Sequence, residues 1–389
     1  MKPTPTTLRV AIACGGTGGH LYPGVAVGTE LVARGVDVTL LISPKDVDQQ
    51  AIRGLRDVQI ITLPAVALQG GNVSEFVTSS WRARATAKRL FAANPPHAVL
   101  AMGGFTAAPP ILAGKSFGAV TALHESNTIP GRANRWLAHV VDECFVGFPD
   151  AAQRLWHPHV THTGTPVREN FLGEIDPVAA RTLLGLKPHA PTLVIMGGSQ
   201  GARGVNQLVT GALPALVAGL PGLQFLHLTG EADIETVRAA YAALPATPQR
   251  PHAVVRPFLS EMEFALAAAT LVVSRSGASS LAEFAARGTP AVLIPLPTAQ
   301  DNHQYHNAAA LVQTGAAELI EQNHTTAAEF AQRILQLLQD ETARNKLSHQ
   351  ITRWHIADAP TRIANRLAAR LAQQYPQAPA LPPAPVAIL

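Results

Sequence analysis

Cysteine is nearly absent from this chain. Cys14 and Cys144 are its two, and lying so far apart they suggest neither a disulfide framework nor a zinc site. A reducing cytosol suits them. Charge is scarce as well: charged residues make up 14% of the 389, and the formal net charge is +4. That is small for this length and gives no support to a nucleic-acid partner. No uninterrupted apolar run approaches the ~20 residues that cross a bilayer. Leu8–Cys14 is too short for a signal peptide's apolar region plus cleavage site, and the residues before it are polar and proline-rich. The expectation is a protein that is soluble, or that rests on a membrane without spanning it. Apolar residues are plentiful, at 47%. At this length they suffice for two α/β domains with full cores.

The most informative stretch is Ser274–Gln304, SRSGASSLAEFAARGTPAVLIPLPTAQDNHQ. An apolar run, Thr270–Val273, ends in Ser274-Arg275-Ser276-Gly277. A helical pattern follows over Ser280–Arg287, Gly288 stops it, and Pro290–Leu296 reads as a second buried strand. Strand, glycine turn, helix and strand form half of a parallel nucleotide-binding sheet. A tight turn at Gly277 points the amides of Ala278, Ser279 and Ser280 out of the helix start, where they and the helix dipole favour a phosphate. Glu283, one turn further in, is placed to accept a ribose diol. The competing reading is an ordinary capped helix with Glu283 on its exposed face.

Leu8–Ala13 runs into Gly15-Gly16-Thr17-Gly18-Gly19-His20, followed by a helix over roughly Pro23–Arg34 and a strand, Val36–Ile42. Leu21 occupies the final glycine position of the dinucleotide fingerprint, which excludes a dinucleotide oxidoreductase. His20 stands at a helix start, whose dipole favours a neutral, proton-accepting imidazole; a capping or packing role fits it equally. Asp46-Val47-Asp48 resembles a metal-holding Asp-x-Asp and reads as a helix cap. Gly70–Phe91 sets Phe76, Val77 and Trp81 before Arg82, Arg84, Lys88 and Arg89. This suits an anionic membrane surface, or an amphipathic helix with aromatics turned inward.

A second glycine turn, Gly103-Gly104-Phe105-Thr106, follows Ala98–Met102. Gly114-Lys115-Ser116 is no P-loop, since Pro109 replaces the upstream glycine. Strand Val120–Leu123 ends in His124-Glu125-Ser126-Asn127, polar residues where open parallel sheets bind ligands. His157, His159 and His162 read as surface or packing histidines. A third glycine turn, Gly197–Arg203, follows Thr192–Met196. Further α/β alternation and three helices lead to a proline- and alanine-rich tail, residues 376–389, expected to be disordered.

Taken together, GGTGGH at Gly15–His20, MGGF at Met102–Phe105, HESN at His124–Asn127, PVR at Pro166–Arg168, GGSQGA at Gly197–Ala202, RSGA at Arg275–Ala278 and DNHQYHNA at Asp301–Ala308 resemble the MurG family. These are bacterial UDP-N-acetylglucosamine transferases that make lipid II. Order and spacing agree from about Leu8 to about Arg370. The resemblance implies a GT-B fold: two Rossmann-like domains whose parallel sheets face across a cleft. Residues 1–165 form the acceptor and membrane half, with helix 358–375 returning to it, and residues 166–357 form the donor half. It implies inverting transfer of N-acetylglucosamine from UDP to the 4-hydroxyl of the muramic acid in lipid I, with no metal or other cofactor. The site is the cytoplasmic face of the cell membrane, which the enzyme meets peripherally.

By the same resemblance the donor meets Thr17, Gly18, Gly19, Asn127, Arg168, Ser199, Leu259, Ala278, Ser279, Ser280, Leu281, Ala282, Glu283, Gln304 and Asn307. Arg168 and the backbone at Leu259 face the uracil, and Gln304 and Asn307 read the sugar. His20 is the candidate base and Glu125 its rival. Phe76, Val77, Trp81, Arg82 and Arg84 form the membrane patch. Two positions depart from the family pattern: Ser126 replaces a usual Gln, and His303 replaces the Gln that usually precedes Gln304. A UDP-sugar:diacylglycerol glycosyltransferase shares the glycine turns and is the nearest rival reading. A non-catalytic sugar-nucleotide-binding subunit is a second, disfavoured because both halves lie in one chain.

Overall fold

A computed structural model describes residues 7–16, 18–45, 49, 55, 57–65, 73–198, 201–246, 250–377 and 381–382. Thr17, Asp46-Val47-Asp48, Gly70, Ser199 and most of the tail fall outside the described residues. The chain divides into two compact units, Met1–Arg168 with Ile356–Leu389, and Glu169–His355.

The first unit holds β1 (Arg9–Ala13), β2 (Asp37–Ile42), β3 (Gln59–Thr62), β4 (Ala98–Ala101), β5 (Val120–Glu125), β6 (Glu143–Val146) and β7 (Val160–His162). They pair in the order β3-β2-β1-β4-β5-β6-β7, every pair parallel. Alternation along β1 divides the core. Val10 and Ile12 join Leu21, Val27 and Leu31 of helix Gly18–Ala33, together with Ile363 and Leu367 of helix Ala359–Gln374. Ala11 and Ala13 face the other way, toward Ala83, Ala87 and Phe91 of helix Val73–Ala93 and Ile111 of helix Ala108–Ser116. Apolar residues on both faces are what a parallel sheet with covered faces requires.

Helix Gly18–Ala33 begins five residues before Pro23, the expected start. A proline inside a helix removes one backbone hydrogen bond, and the helix accepts that loss. His20, expected just at the helix start, accordingly lies within its first turn.

The C-terminal helix is locked to the first unit by charge as well as by its apolar stripe. Glu143 of β6 has a fully buried side chain. Its Oε1 accepts from Arg366 (2.6 Å) and its Oε2 from Arg370 (2.7 Å). Burial alone would raise the Glu143 pKa, but the hydrogen bonds and charges of the two arginines outweigh it and hold the carboxyl below its ordinary value of 4.5. A depressed folded-state pKa gives stability that is present above the unfolded value and lost as pH falls through the folded one. Breaking a buried pair costs about 3–5 kcal/mol, and since both arginines keep access to water we expect Glu143→Ala near the lower end. Urea denaturation at pH 7 and pH 4 checks this: the deficit of the variant should shrink in acid, and equal deficits at both pH values would contradict the ion-pair account.

The second unit holds β8 (Thr192–Met196), β9 (Gln224–Leu228), β10 (Ala253–Arg256), β11 (Leu271–Ser274), β12 (Ala291–Leu293) and β13 (Glu318–Leu319), ordered β10-β9-β8-β11-β12-β13 and again parallel. Leu193, Ile195 and Val273 pack against Val205, Val209 and Leu213 of helix Arg203–Gly219 and Phe330 and Ile334 of helix Ala327–Gln339. In each unit the strand order reverses once, between β1 and β4 and between β8 and β11. Open α/β sheets bind ligands at such reversals, beyond the strands' carboxyl ends.

Candidate active site

At the reversal in the first unit, β1 feeds the Gly15–His20 turn and β4 feeds Met102–Phe105. Gly103 and Gly104 have φ of +105° and +75°, and a Cβ on either would stand 3.0 Å from the His20 ring. Only glycines in these conformations let the imidazole sit against the turn. Thr106 Oγ1 donates to the Gly15 carbonyl at 2.8 Å, and Lys45 Nζ donates to the Gly16 carbonyl at 3.0 Å. Lys45 also lies 5.3 Å from the centre of the Phe105 ring. The sequence reading missed both braces, although Thr106 directly follows the quoted MGGF.

β5 delivers the His124–Asn127 segment. His124 is buried; its Nε2 donates to the Gly164 carbonyl at 3.0 Å, and its Nδ1 accepts from Ser126 Oγ at 3.2 Å. Burial, followed by the charges of His20 and His162, lowers its pKa to about 4 against the opposing Gly164 bond, so it stays neutral. Ser126, which departs from the family pattern, therefore serves the His124 tautomer.

Glu125 is buried too. Its Oε1 accepts from the Asn127 N–H (2.8 Å) and Asn127 Nδ2 (3.1 Å), and its Oε2 from the Gly131 N–H (2.9 Å) and Asn134 Nδ2 (2.9 Å). Burial raises its pKa more than these bonds lower it. Asn134, nine residues on, is the partner that sequence reasoning did not find. Arg168, expected at the uracil, holds its guanidinium 4.0 Å from the centre of the Tyr22 ring, a favourable cation–π distance.

At the reversal in the second unit, β8 feeds Gly197–Ala202 and β11 feeds Arg275–Ala278. A Cβ on Gly201 would meet the Thr229 carbonyl oxygen at 2.3 Å, which leaves room for glycine alone. Arg275 is buried beneath the second turn and donates through Nη1 to the Ile294 and Pro295 carbonyls, both at 3.0 Å. Ser276 Oγ donates to the Gln304 carbonyl at 2.8 Å, and Asn307 Nδ2 to the Ser276 carbonyl at 3.2 Å. Gln304 Oε1 accepts from the Leu296 N–H at 2.9 Å. The turn and helix His303–Gln313 are thereby tied together, with Asn307 fully buried.

Helix Ala278–Arg287 starts two residues earlier than its apolar pattern suggests, with Gly277 as its N-cap and Gly288, at φ +64°, as its C-cap. Gly277 needs correction. Its φ of −67° and ψ of 135° are open to any residue, so no special turn demands glycine there. Among the described residues a Cβ would meet nothing within 4 Å. Glycine instead keeps the space before the helix head clear. Glu283 is buried rather than on an exposed face, as are Leu281 and Leu259. Ser279, Ser280 and Ala282 are half-buried, while Ala278 is buried.

On helix Val73–Ala93, Val77 and Trp81 lie four residues apart and are 46% and 71% exposed. Arg82 is exposed and Phe76 and Arg84 are half-buried, while Ala83, Ala87 and Phe91 face the core. No helix among the described residues is long and apolar enough to cross a membrane. No group of three or more His, Cys, Asp or Glu among them is arranged to hold a metal ion.

The glycosyltransferase family 28 N-terminal domain matches residues 10–146, and the family 28 C-terminal domain matches residues 192–363. The UDP-N-acetylglucosamine--N-acetylmuramyl-(pentapeptide) pyrophosphoryl-undecaprenol N-acetylglucosamine transferase of Sorangium cellulosum is 35% identical, over 92% of this chain and 87% of that protein. The enzyme of the same name from Parasynechococcus marenigrum is 38% identical over 85% and 88%. The crystal structure of Acinetobacter baumannii MurG superposes with a TM-score of 0.69 at 25% identity, covering 93% of this chain and 99% of that one. The glycine turns at both strand-order reversals and these likenesses lead to one conclusion: the chain belongs to the MurG family of glycosyltransferases, with a GT-B fold of two parallel-sheet α/β domains.

Proposed function

We propose that this chain transfers N-acetylglucosamine from UDP-N-acetylglucosamine to the 4-hydroxyl of the muramic acid in lipid I, making lipid II for the cell wall. The observation that carries this is the same in both units: chemistry-bearing glycine turns flank the reversal of strand order. The donor half, residues 166–357, holds UDP with the amides of Ala278, Ser279 and Ser280 at the diphosphate, aided by Ser199, and with Glu283 at the ribose. Backbone at Leu281, Ala282 and Leu259 closes around the nucleotide. Gln304 orients the sugar and Asn307 braces the turn beside it. Thr17, Gly18, Gly19, Asn127 and Arg168 complete the donor contacts. The acceptor half, residues 1–165 with helix 358–375, supplies the base.

The acceptor hydroxyl oxygen attacks the anomeric carbon, His20 takes its proton, and the bond to UDP breaks on the opposite face. An α-linked donor thus becomes a β-linked product. Preorganised backbone donors stabilise the charge on departing UDP by several kcal/mol in a water-poor site. His20 is preferred over Glu125 because both Glu125 oxygens already accept two protein donors. No metal enters this scheme. Phe76, Val77, Trp81, Arg82 and Arg84 meet the anionic cytoplasmic face of the membrane, where lipid I resides.

The test is purified protein with UDP-N-acetylglucosamine, EDTA, and either a lipid I analogue or diacylglycerol. UDP release with the lipid I analogue alone supports the proposal; release with diacylglycerol alone assigns the rival activity. The membrane reading has its own check. Val77→Ser with Trp81→Ser should weaken co-sedimentation with phosphatidylglycerol vesicles about tenfold, by removing the inserted apolar groups. Unaltered co-sedimentation would contradict it.

A further inference from the structure

Two glycine turns flank the reversal of strand order in the second unit, and the spacing between them decides whether one nucleotide can touch both. One side chain, Gln322, reaches toward both. Arg275, under the turn that opens helix Ala278–Arg287, donates from Nη2 to Gln322 Oε1 at 2.8 Å. The same Gln322 amide rests on the first turn of helix Arg203–Gly219, just after the Gly197–Ala202 turn. A Cβ on Gly204 would stand 2.1 Å from Gln322 Oε1 and 2.4 Å from Nε2. Gln322 itself begins the short 3₁₀ turn Gln322–His324 that follows β13. It lies 47 residues from Arg275 and outside every motif that the sequence reading singled out.

We infer that Gln322 is a positioning residue for the donor: its amide spans the gap between the two nucleotide-binding turns, and Gly204 lacks a side chain because that amide occupies the space. The inference rests on the proposal that the second unit binds UDP. Arg275 keeps its two carbonyl acceptors without Gln322, so the turn survives, but the brace to the neighbouring helix is lost. Gly204→Ala acts on the same brace from the other side. Its new methyl meets the end of a flexible side chain rather than backbone, so the amide is displaced and the helix stays.

The experiment is isothermal titration of the full chain with UDP, together with steady-state kinetics. Gln322→Ala should raise the Kd for UDP and the KM for UDP-N-acetylglucosamine about tenfold, with kcat and thermal midpoint little changed. Gln322→Glu keeps an oxygen for Arg275 and should retain near-native affinity. Gly204→Ala should match Gln322→Ala. The double variant should be no weaker than Gln322→Ala alone, because the added methyl then has no amide to displace. Multiplying effects in the double variant, or native affinity in Gln322→Ala, would overturn the role of Gln322 while leaving the donor site in place. Unmodified protein that binds no UDP would overturn the donor proposal, and this inference with it.

Discussion

His20→Ala lowers kcat by about 10²–10⁴-fold, the range of a lost general base, and leaves the affinity for UDP-N-acetylglucosamine nearly intact. The geometry explains why the two quantities part. The imidazole sits in the first turn of helix Gly18–Ala33, against Gly103 and Gly104. Those glycines leave the ring room, and half-buried His20 is not part of the apolar core, so replacing the ring removes no core packing. The amides proposed to hold the diphosphate, those of Ala278, Ser279 and Ser280, belong to the other unit, so we expect UDP affinity to survive loss of the ring. Stopped assays for turnover and titration calorimetry for UDP separate the two effects. An unchanged kcat would remove His20 from the role of base.

The second large effect is on Glu125, and it is a loss of structure. Glu125→Ala orphans four donors at once: the amides of Asn127 and Gly131 and the side-chain amides of Asn127 and Asn134. Glu125 and Asn134 are buried and Asn127 and Gly131 half-buried, so water replaces the carboxylate only in part. A buried donor left unpaired costs about 1–3 kcal/mol. We therefore expect Glu125→Ala to lower the denaturation midpoint and, through a displaced Asn127, to weaken the donor as well as turnover. A Glu125 that also served as base would behave differently: the folded variant, at saturating donor, would lose kcat as steeply as His20→Ala. Denaturation, calorimetry and turnover on one preparation tell these outcomes apart.

Much of the plan is legible in the chain because parallel strands buried on both faces leave continuous apolar runs. Thr192–Met196 is such a run, and it is a strand with those bounds. Glycine clusters at the ends of such runs then mark the ligand side of each sheet. One edge strand escapes this logic. β3 reads QIIT, is half-exposed, and has no apolar run to announce it. Helix starts shift for a different reason: helices Gly18–Ala33 and Ala278–Arg287 open on Gly18-Gly19 and Ala278-Ser279, small residues without a large apolar side chain, so the apolar pattern alone places both heads too late.

The least legible features are contacts between distant residues. Glu125 looks like a free carboxylate at a strand end until Asn134 is folded against it, and nothing local ties Gln322 to Arg275 or to Gly204. Gly277 shows the converse. Its presence at a turn was plain, but the reason for it, open space rather than backbone strain, appears only in three dimensions.

Amide hydrogen exchange over Ala278–Glu283, with and without saturating UDP, bears most directly on where the nucleotide is held. If the head of that helix grips the diphosphate, exchange there slows on adding UDP while helix Val73–Ala93 is unaffected. Unchanged exchange at residues 278–283, with slowing confined to Gly15–His20, would place the nucleotide in the other unit and contradict the assignment.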